Sequence, residues 1–140
     1  MRKLSTYLSF DGMTGEAMRF YEKALGAKVD RLIKYGDMPQ TTQAPSGSPD
    51  NVLHAQLTFA NGDVLMASDR AGGAVPEGMK GFSVALDYAT EDEAKRAFDA
   101  LAPGGSILVP LQPSFFAKAF GMLVDRFGTP WMISGGTMNG

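Results

Sequence analysis

The chain has 140 residues, 44% of them hydrophobic, and a formal net charge of −2. This is enough for one globular domain with its own core, and the charge excludes the strongly basic surface of a typical nucleic-acid-binding protein. With no cysteine and a single histidine, His54, the chain has no disulfides, thiolate zinc sites or cysteine nucleophiles, and any two-histidine metal site would have to form between chains.

The N-terminal segment alternates in the manner of a strand. Met1-Arg2-Lys3-Leu4 leads directly into the alternating run Leu4–Phe10, which is unlike a signal peptide or a membrane-spanning segment. We therefore expect a cytoplasmic protein with no membrane partner. Thr14 is placed to cap a helix that ends at Gly26, and the apolar stripe of this helix consists of Ala17, Phe20, Tyr21 and Ala24.

Three more strands complete the first half. The second strand is predicted over Ala27–Lys34, and a hairpin with Asn61-Gly62 at its turn joins strands at Val52–Phe59 and Val64–Ser68. The intervening segment Asp37–Asn51 has no apolar periodicity. We expect it to contain no helix and to be the most mobile part of the chain.

The same order of elements then returns. Gly81–Asp87 is strand-like, and Thr90-Glu91-Asp92-Glu93 forms a capping box at the start of a helix. The apolar stripe of that helix is Ala94, Ala97, Phe98 and Leu101. Short strands follow at Ser106–Leu111, Phe120–Asp125 and Pro130–Ser134.

This repetition predicts an α+β fold of paired βαβββ modules, which form a curved mixed sheet around a cleft, with two outer helices. Residues 1–140 are expected to form a single domain, with the first module at 1–70 and the second at 81–135.

Short motifs along the whole chain carry a resemblance to a known family. Phe20–Gly26 (FYEKALG) is similar to the FYxxxLG signature of the vicinal-oxygen-chelate superfamily, which includes glyoxalase and bleomycin-resistance proteins. Further segments resemble its PhnB-like branch: Tyr7–Gly12, His54–Leu57, Leu65–Asp69, Pro110–Gln112 and Phe120–Ile133. The resemblance implies the paired-module fold, and it implies a homodimer, which exposed sheet edges also favour.

The resemblance also implies where a metal would be held in this superfamily. The four positions fall at Ser5 or Tyr7, at Gln56, within Gly81–Ser83, and at Met132. Of these only Gln56 is a usual ligand type, because hard cations prefer several oxygen donors and first-row ions prefer imidazole or carboxylate. We therefore expect no bound metal and no other cofactor. The alternative is a divalent metal at a degenerate site.

Three residues of the first half are expected to bind a ligand. His54 and Gln56 lie two apart on one strand and so share a face, and Tyr7 lies on the facing strand. His54 is either a ligand-binding group in the cleft or a strand histidine hydrogen-bonded to a neighbour. The Gln56 amide either orients a ligand or satisfies a buried backbone group.

The second half offers two more ligand-binding candidates, Gln112 and Phe116. Gln112 ends a strand, and Phe116 belongs to the predicted loop Pro113–Lys118, which also carries Phe115. Such a loop is either a flap over the cleft or a dimer contact. Phe115 is assigned neither role.

The function predicted from these residues is metal-free binding of a small organic molecule in an apolar cleft. The alternatives are a metal-dependent lyase, isomerase or dioxygenase, and a structural or regulatory subunit. Whether the protein is an enzyme stays open. The ubiquinone methyltransferase label often given to PhnB-like proteins has no support in the sequence, which lacks the glycine-rich strand-to-helix loop of a Rossmann-like site.

Overall fold

The structure is a computed structural model, and it describes residues 1–37, 49–70 and 78–137. Most of the predicted mobile segment, Asp37–Asn51, lies outside the described residues, so its mobility stays a prediction. The chain divides into two compact units, Met1–Pro76 and Glu77–Gly140. Neither helix in the described ranges is long and apolar enough to cross a membrane.

Each unit repeats the order strand, helix, strand, strand, strand, which confirms the predicted pair of βαβββ modules. The first unit contains β1 (Thr6–Phe10), α1 (Thr14–Leu25), β2 (Lys28–Lys34), a 3₁₀ turn (Tyr35–Asp37), β3 (Val52–Thr58) and β4 (Val64–Asp69). The second contains β5 (Val84–Tyr88), α2 (Glu91–Leu101), β6 (Ser106–Gln112), β7 (Ala117–Val124) and β8 (Pro130–Thr137).

The strands form two four-stranded mixed sheets, in the orders β1-β4-β3-β2 and β5-β8-β7-β6, in place of the one sheet predicted. In each unit the last strand pairs in parallel with the first and antiparallel with the third. All the strand pairings of each module are therefore made between strands of that same module.

One face of each sheet packs against the helix of its own unit. In the first sheet the alternate strand residues Leu8, Ala55 and Leu57 are buried on the same side as Met18 and Tyr21 of α1. Met18 is fully buried, whereas Phe20 and Ala24 of the predicted stripe are only half-buried, so the buried stripe of α1 is rotated from the predicted one. In α2 the predicted stripe is buried throughout, at Ala94, Ala97, Phe98 and Leu101.

The two helices begin in different ways. At α2 the predicted capping box is confirmed, because Thr90 Oγ1 accepts from Glu93 N and the Glu93 carboxylate accepts from Thr90 N. At α1 the predicted cap was wrong: helix geometry already begins at Thr14, and no side chain of the preceding residues caps it. The cap comes from the end of β4, where Asp69 Oδ1 accepts from Thr14 N at 3.0 Å and from Thr14 Oγ1 at 2.7 Å.

The end of α1 leads directly into β2. Gly26 adopts the left-handed conformation at φ 67° that ends many helices. One turn earlier, Glu22 Oε2 accepts from Val29 N at 2.6 Å, and this hydrogen bond holds the pKa of Glu22 below its usual range. The FYEKALG motif therefore ends the helix and fixes the first residues of the next strand.

The buried carboxylate of Asp69 also serves β3, because its Oδ2 accepts from Val52 N at 2.7 Å. In Asp69→Asn the amide can keep only one acceptor oxygen, and its NH₂ group must face N–H donors. We expect the substitution to lower the free energy of unfolding by about 2–3 kcal/mol, measured by urea denaturation with circular dichroism. Asp11→Asn, the same change at an exposed position, should alter it by less than about 0.5 kcal/mol. Equal midpoints for both variants would contradict this role.

Two glycines, Gly121 of β7 and Gly135 of β8, let α2 pack closely against its sheet, and Gly135 leaves less room for a Cβ. A Cβ at Gly135 would overlap the Thr90 carbonyl oxygen and lie 2.7 Å from the Ala94 Cβ. We expect Gly135→Ala to cost about 1–3 kcal/mol, followed by the fluorescence of Trp131, the only tryptophan in the sequence. Gly15→Ala in α1, where the added Cβ would lie 3.9 Å from Val52 Cγ2, is the matched control, and it should leave stability unchanged or slightly raised. If both variants unfold at the same denaturant concentration, the close approach of α2 to its sheet does not require a glycine at position 135.

Candidate functional site

The face of the first sheet opposite α1 is here called the open face. It carries the polar candidate side chains of the first unit. It is built from alternate residues on neighbouring strands: Tyr7 and Ser9 of β1, Met66 and Ser68 of β4, His54 and Gln56 of β3, and Arg31 and Ile33 of β2. All of these are half-buried or exposed. The open face is therefore a polar surface with a few apolar side chains, on a rigid sheet.

Tyr7 and His54 meet on this face although they are not on adjacent strands. Their strands flank β4, and the Tyr7 hydroxyl lies 3.2 Å from His54 Nδ1. The rings are 5.8 Å apart and tilted by 37°. Ser68 of β4 lies beside this contact, since it pairs with Ser9, two residues from Tyr7 on the same face of β1. His54 is thus hydrogen-bonded to a neighbour and also belongs to a half-exposed polar pair.

Gln56 is next to this pair on the same face of β3. It is in register with Met66 on one side and Arg31 on the other. Within residues 1–37, 49–70 and 78–137 its amide makes no hydrogen bond, so it does not satisfy a described backbone group. The structure therefore brings Tyr7, His54 and Gln56 together on one surface.

Gln112 and Phe116 lie in the second unit and meet around Phe120. Gln112 is exposed at the end of β6 and in register with Phe120 of β7. The Phe116 ring packs edge-on against Phe120 at 5.1 Å and against Phe115 at 5.3 Å. Phe115 itself is 95% exposed. The candidate residues thus form two groups, one in each unit.

The predicted loop Pro113–Lys118 is shorter than expected, because Ala117 and Lys118 already belong to β7. The turn is tight: Ser114 N donates to Ala117 O at 3.0 Å, and Ser114 Oγ accepts from Ala117 N at 3.2 Å. A flap of the predicted length is therefore not present. What remains is a fixed turn that displays two phenylalanine rings.

The residues at the superfamily's metal positions do not fit a divalent cation. Met132 lies on the face of the second sheet opposite α2, in register with Met122 and Ala85. Gly81–Ser83 precedes β5 and offers no carboxylate or imidazole. In the described parts of the chain no three His, Cys, Asp or Glu side chains come together as a metal-binding group. Thioether and amide donors alone are poor ligands for a hard ion.

Sequence reasoning missed several residues that the sheets place at these sites. Arg31, Ser9 and Ser68 share the open face with His54, and Phe120 is the centre of the second group. Ser68 lies two residues after Met66 on β4, and the period-2 geometry of a strand was a usable signal that these two side chains share a face. The position of Arg31 was not readable, because an irregularity between Val29 and Arg31 shifts the register of β2.

Comparison with known proteins agrees with this architecture. A family model described as 3-demethylubiquinone-9 3-methyltransferase matches residues 2–134. Protein YjdN of Escherichia coli (strain K12) is 39% identical over 94% of this chain and 93% of its own length.

Solved structures share the fold. Protein PA1353 from Pseudomonas aeruginosa is 38% identical, with a TM-score of 0.87 over 97% of this chain and 98% of that one. The PhnB protein from Bacillus cereus is 28% identical, with a TM-score of 0.77 over 96% and 99% of the two chains.

A glyoxylase/bleomycin resistance protein/dioxygenase domain from Frankia sp. EAN1pec, at 15% identity and a TM-score of 0.65 over 96% of both chains, shares the fold alone. Together with the motifs above, these matches show that the chain belongs to the PhnB-like family, whose model bears the 3-demethylubiquinone-9 3-methyltransferase description, and that it has the glyoxalase/bleomycin-resistance fold.

Proposed function

We propose that this protein binds a small organic molecule on the open face of the first sheet, through Tyr7, His54 and Gln56 and without a bound metal. The observation that carries the proposal is the hydrogen bond between the Tyr7 hydroxyl and His54 Nδ1 on a surface that α1 does not cover. The Gln56 amide beside it is unengaged by any described residue. Such a small set of polar groups with apolar neighbours is typical of sites that bind small molecules.

The Tyr7–His54 pair has hydrogen-bonding capacity left for a ligand. A neutral imidazole and a phenol together carry two N–H or O–H protons, and their mutual hydrogen bond uses one. If Tyr7 donates, His54 Nε2–H stays free as a donor and the Tyr7 oxygen as an acceptor. If His54 donates, the Tyr7 O–H is the free donor and Nε2 the acceptor. In both tautomers the pair offers one donor and one acceptor, which suits a hydroxyl or carbonyl group.

Gln112 and Phe116 are proposed as a second ligand contact within the second unit. The exposed amide of Gln112 lies beside the rings of Phe116 and Phe120, and amide–aromatic surfaces suit flat organic molecules. A homodimer is also part of the proposal. It is supported by the edge position of β6, where Ile107 and Leu108 are exposed.

Two enzymatic alternatives receive less support. Methyl transfer, which the family's description names, needs a methyl-donor site. β1 leads into α1 through Asp11-Gly12-Met13, and β5 leads into α2 through Ala89-Thr90. Neither connection is a glycine-rich loop of the Rossmann type. Metal-dependent catalysis is not supported by the donor set at Gln56 and Met132.

His54→Ala tests the binding proposal. We expect it to weaken binding by about 1–3 kcal/mol, or roughly 5- to 150-fold in Kd, because the polar group of the ligand loses its hydrogen-bond partner. The measurement is saturation-transfer NMR with a fragment set of flat aromatic compounds that includes neutral, cationic and anionic members. Fragments that bind the unaltered protein should lose their signal with His54→Ala.

The matched control is Thr6→Ala on β1, an exposed position whose side chain lies on the α1 side of the sheet, which should leave those signals unchanged. Thermal unfolding of both variants checks that the fold is intact. The proposal is wrong if no fragment binds, or if His54→Ala and Thr6→Ala bind the same fragments equally well.

Removal of divalent metal should have no effect on this protein. We expect protein purified without chelator to hold no stoichiometric metal by elemental analysis, because the superfamily positions lack carboxylate and imidazole ligands. EDTA should leave the melting temperature unchanged. Stoichiometric nickel, zinc or iron, or a lower melting temperature after EDTA, would favour the metal-dependent enzyme instead.

A further inference from the structure

Arg31 brings a positive charge onto the open face, next to the proposed ligand contacts. It lies on β2 in register with Gln56, and its side chain is exposed. Ion pairs on the helices join Arg19 to Glu22 and Lys95 to Asp99. No ion pair or hydrogen bond of the Arg31 guanidinium is found within the described ranges, so this cation is available to an anion.

Among the described residues, the charged and titratable groups around Arg31 do not pair with its guanidinium. Asp30 is the nearest carboxylate along the chain, and its Oδ2 already accepts from Thr58 Oγ1 at 2.6 Å. Lys28 pairs with Thr58 at the far end of the same face and adds a second positive charge. His54 is in register with Ile33, the next residue on this face of β2. With Arg31 and Lys28 against the single carboxylate of Asp30, these three residues give the β2 side of the open face a net charge of one positive unit.

We infer that the ligand is a small aromatic acid that carries a hydroxyl group opposite its carboxylate; this inference rests on the proposed function and names its ligand class. The Arg31 guanidinium receives the carboxylate, for which its planar fork is suited. The Tyr7–His54 pair receives the hydroxyl, because it offers one donor and one acceptor. The Gln56 amide lies between these two contacts.

The spacing of the strands suits one aromatic ring between the two polar ends. His54 and Arg31 are diagonal neighbours on adjacent strands, a relation that separates Cα atoms by roughly 7–8 Å. Met66, in register with both Tyr7 and Gln56, and the exposed Ile33, beside His54, supply apolar contact for the ring. A longer acid would extend past β2, and a ring without the hydroxyl would leave the Tyr7–His54 pair without a partner.

Titration calorimetry with three matched probes tests the inference. The probes are 4-hydroxybenzoate, benzoate, which lacks the hydroxyl, and 4-hydroxybenzamide, which lacks the charge. We expect 4-hydroxybenzoate to bind about tenfold or more tightly than each of the others, because each loses one charged or polar contact. The absence of saturable 4-hydroxybenzoate binding at millimolar concentration would overturn the inference.

Variants then test which residue binds the carboxylate of 4-hydroxybenzoate and which binds its hydroxyl group. Arg31→Gln should weaken 4-hydroxybenzoate about tenfold or more and leave 4-hydroxybenzamide unchanged, whereas Arg31→Lys should keep part of the preference for the acid. Tyr7→Phe should weaken 4-hydroxybenzoate and leave benzoate unchanged. Lys23→Gln makes the same charge change at an exposed position on α1, on the other side of the sheet, and should have no effect.

The outcomes separate this inference from the proposed function. If Arg31→Gln and Lys23→Gln behave alike while His54→Ala still abolishes fragment binding, the aromatic acid is wrong and small-molecule binding on the open face stands. If His54→Ala has no effect on any fragment, the proposed function itself is wrong.

Discussion

The buried carboxylate of Asp69 holds the first unit together at a single point. Its two oxygens accept from the start of α1, at Thr14, and from the start of β3, at Val52, while Asp69 itself ends β4. Three elements are thus tied at one end of the sheet by charge-assisted hydrogen bonds, which are stronger than neutral ones. Because β4 lies between β1 and β3, this tie also fixes the strands that carry Tyr7 and His54. The candidate site therefore depends on a residue that does not touch it.

The second unit uses a buried carboxylate for a different purpose. Asp125 accepts from Phe127 N at 2.8 Å, from Thr129 N at 3.1 Å and from Trp131 Nε1 at 2.8 Å. It organises the tight connection between β7 and β8 and fixes the indole of Trp131 in the core. The two carboxylates show how a chain of modest size places charge in its interior: every oxygen faces N–H or O–H donors, so burial leaves no unsatisfied group.

The sequence predicted what depends on short-range pattern and left open what depends on distant partners. The stripe and capping box of α2 and the hairpin at Asn61-Gly62 were readable because their partners lie within a few residues. The cap of α1 was not, because its acceptor lies 55 residues away. For the same reason the sequence placed His54 and Gln56 on one face, but it missed Arg31, whose side depends on an irregularity in β2. The group around Phe120 was obscured because β7 begins earlier than its apolar pattern indicates.

The two ways of starting a helix have a consequence for what each helix needs before its first turn is stabilised. The cap of α2 closes between residues three apart, so it needs no strand of its unit to be in place. The cap of α1 requires β4 to be in place, and bringing together residues so far apart costs loop-closure entropy before any contact compensates it. The start of α1 is therefore stabilised only when a distant strand is in place, whereas the start of α2 is stabilised by its own first turn.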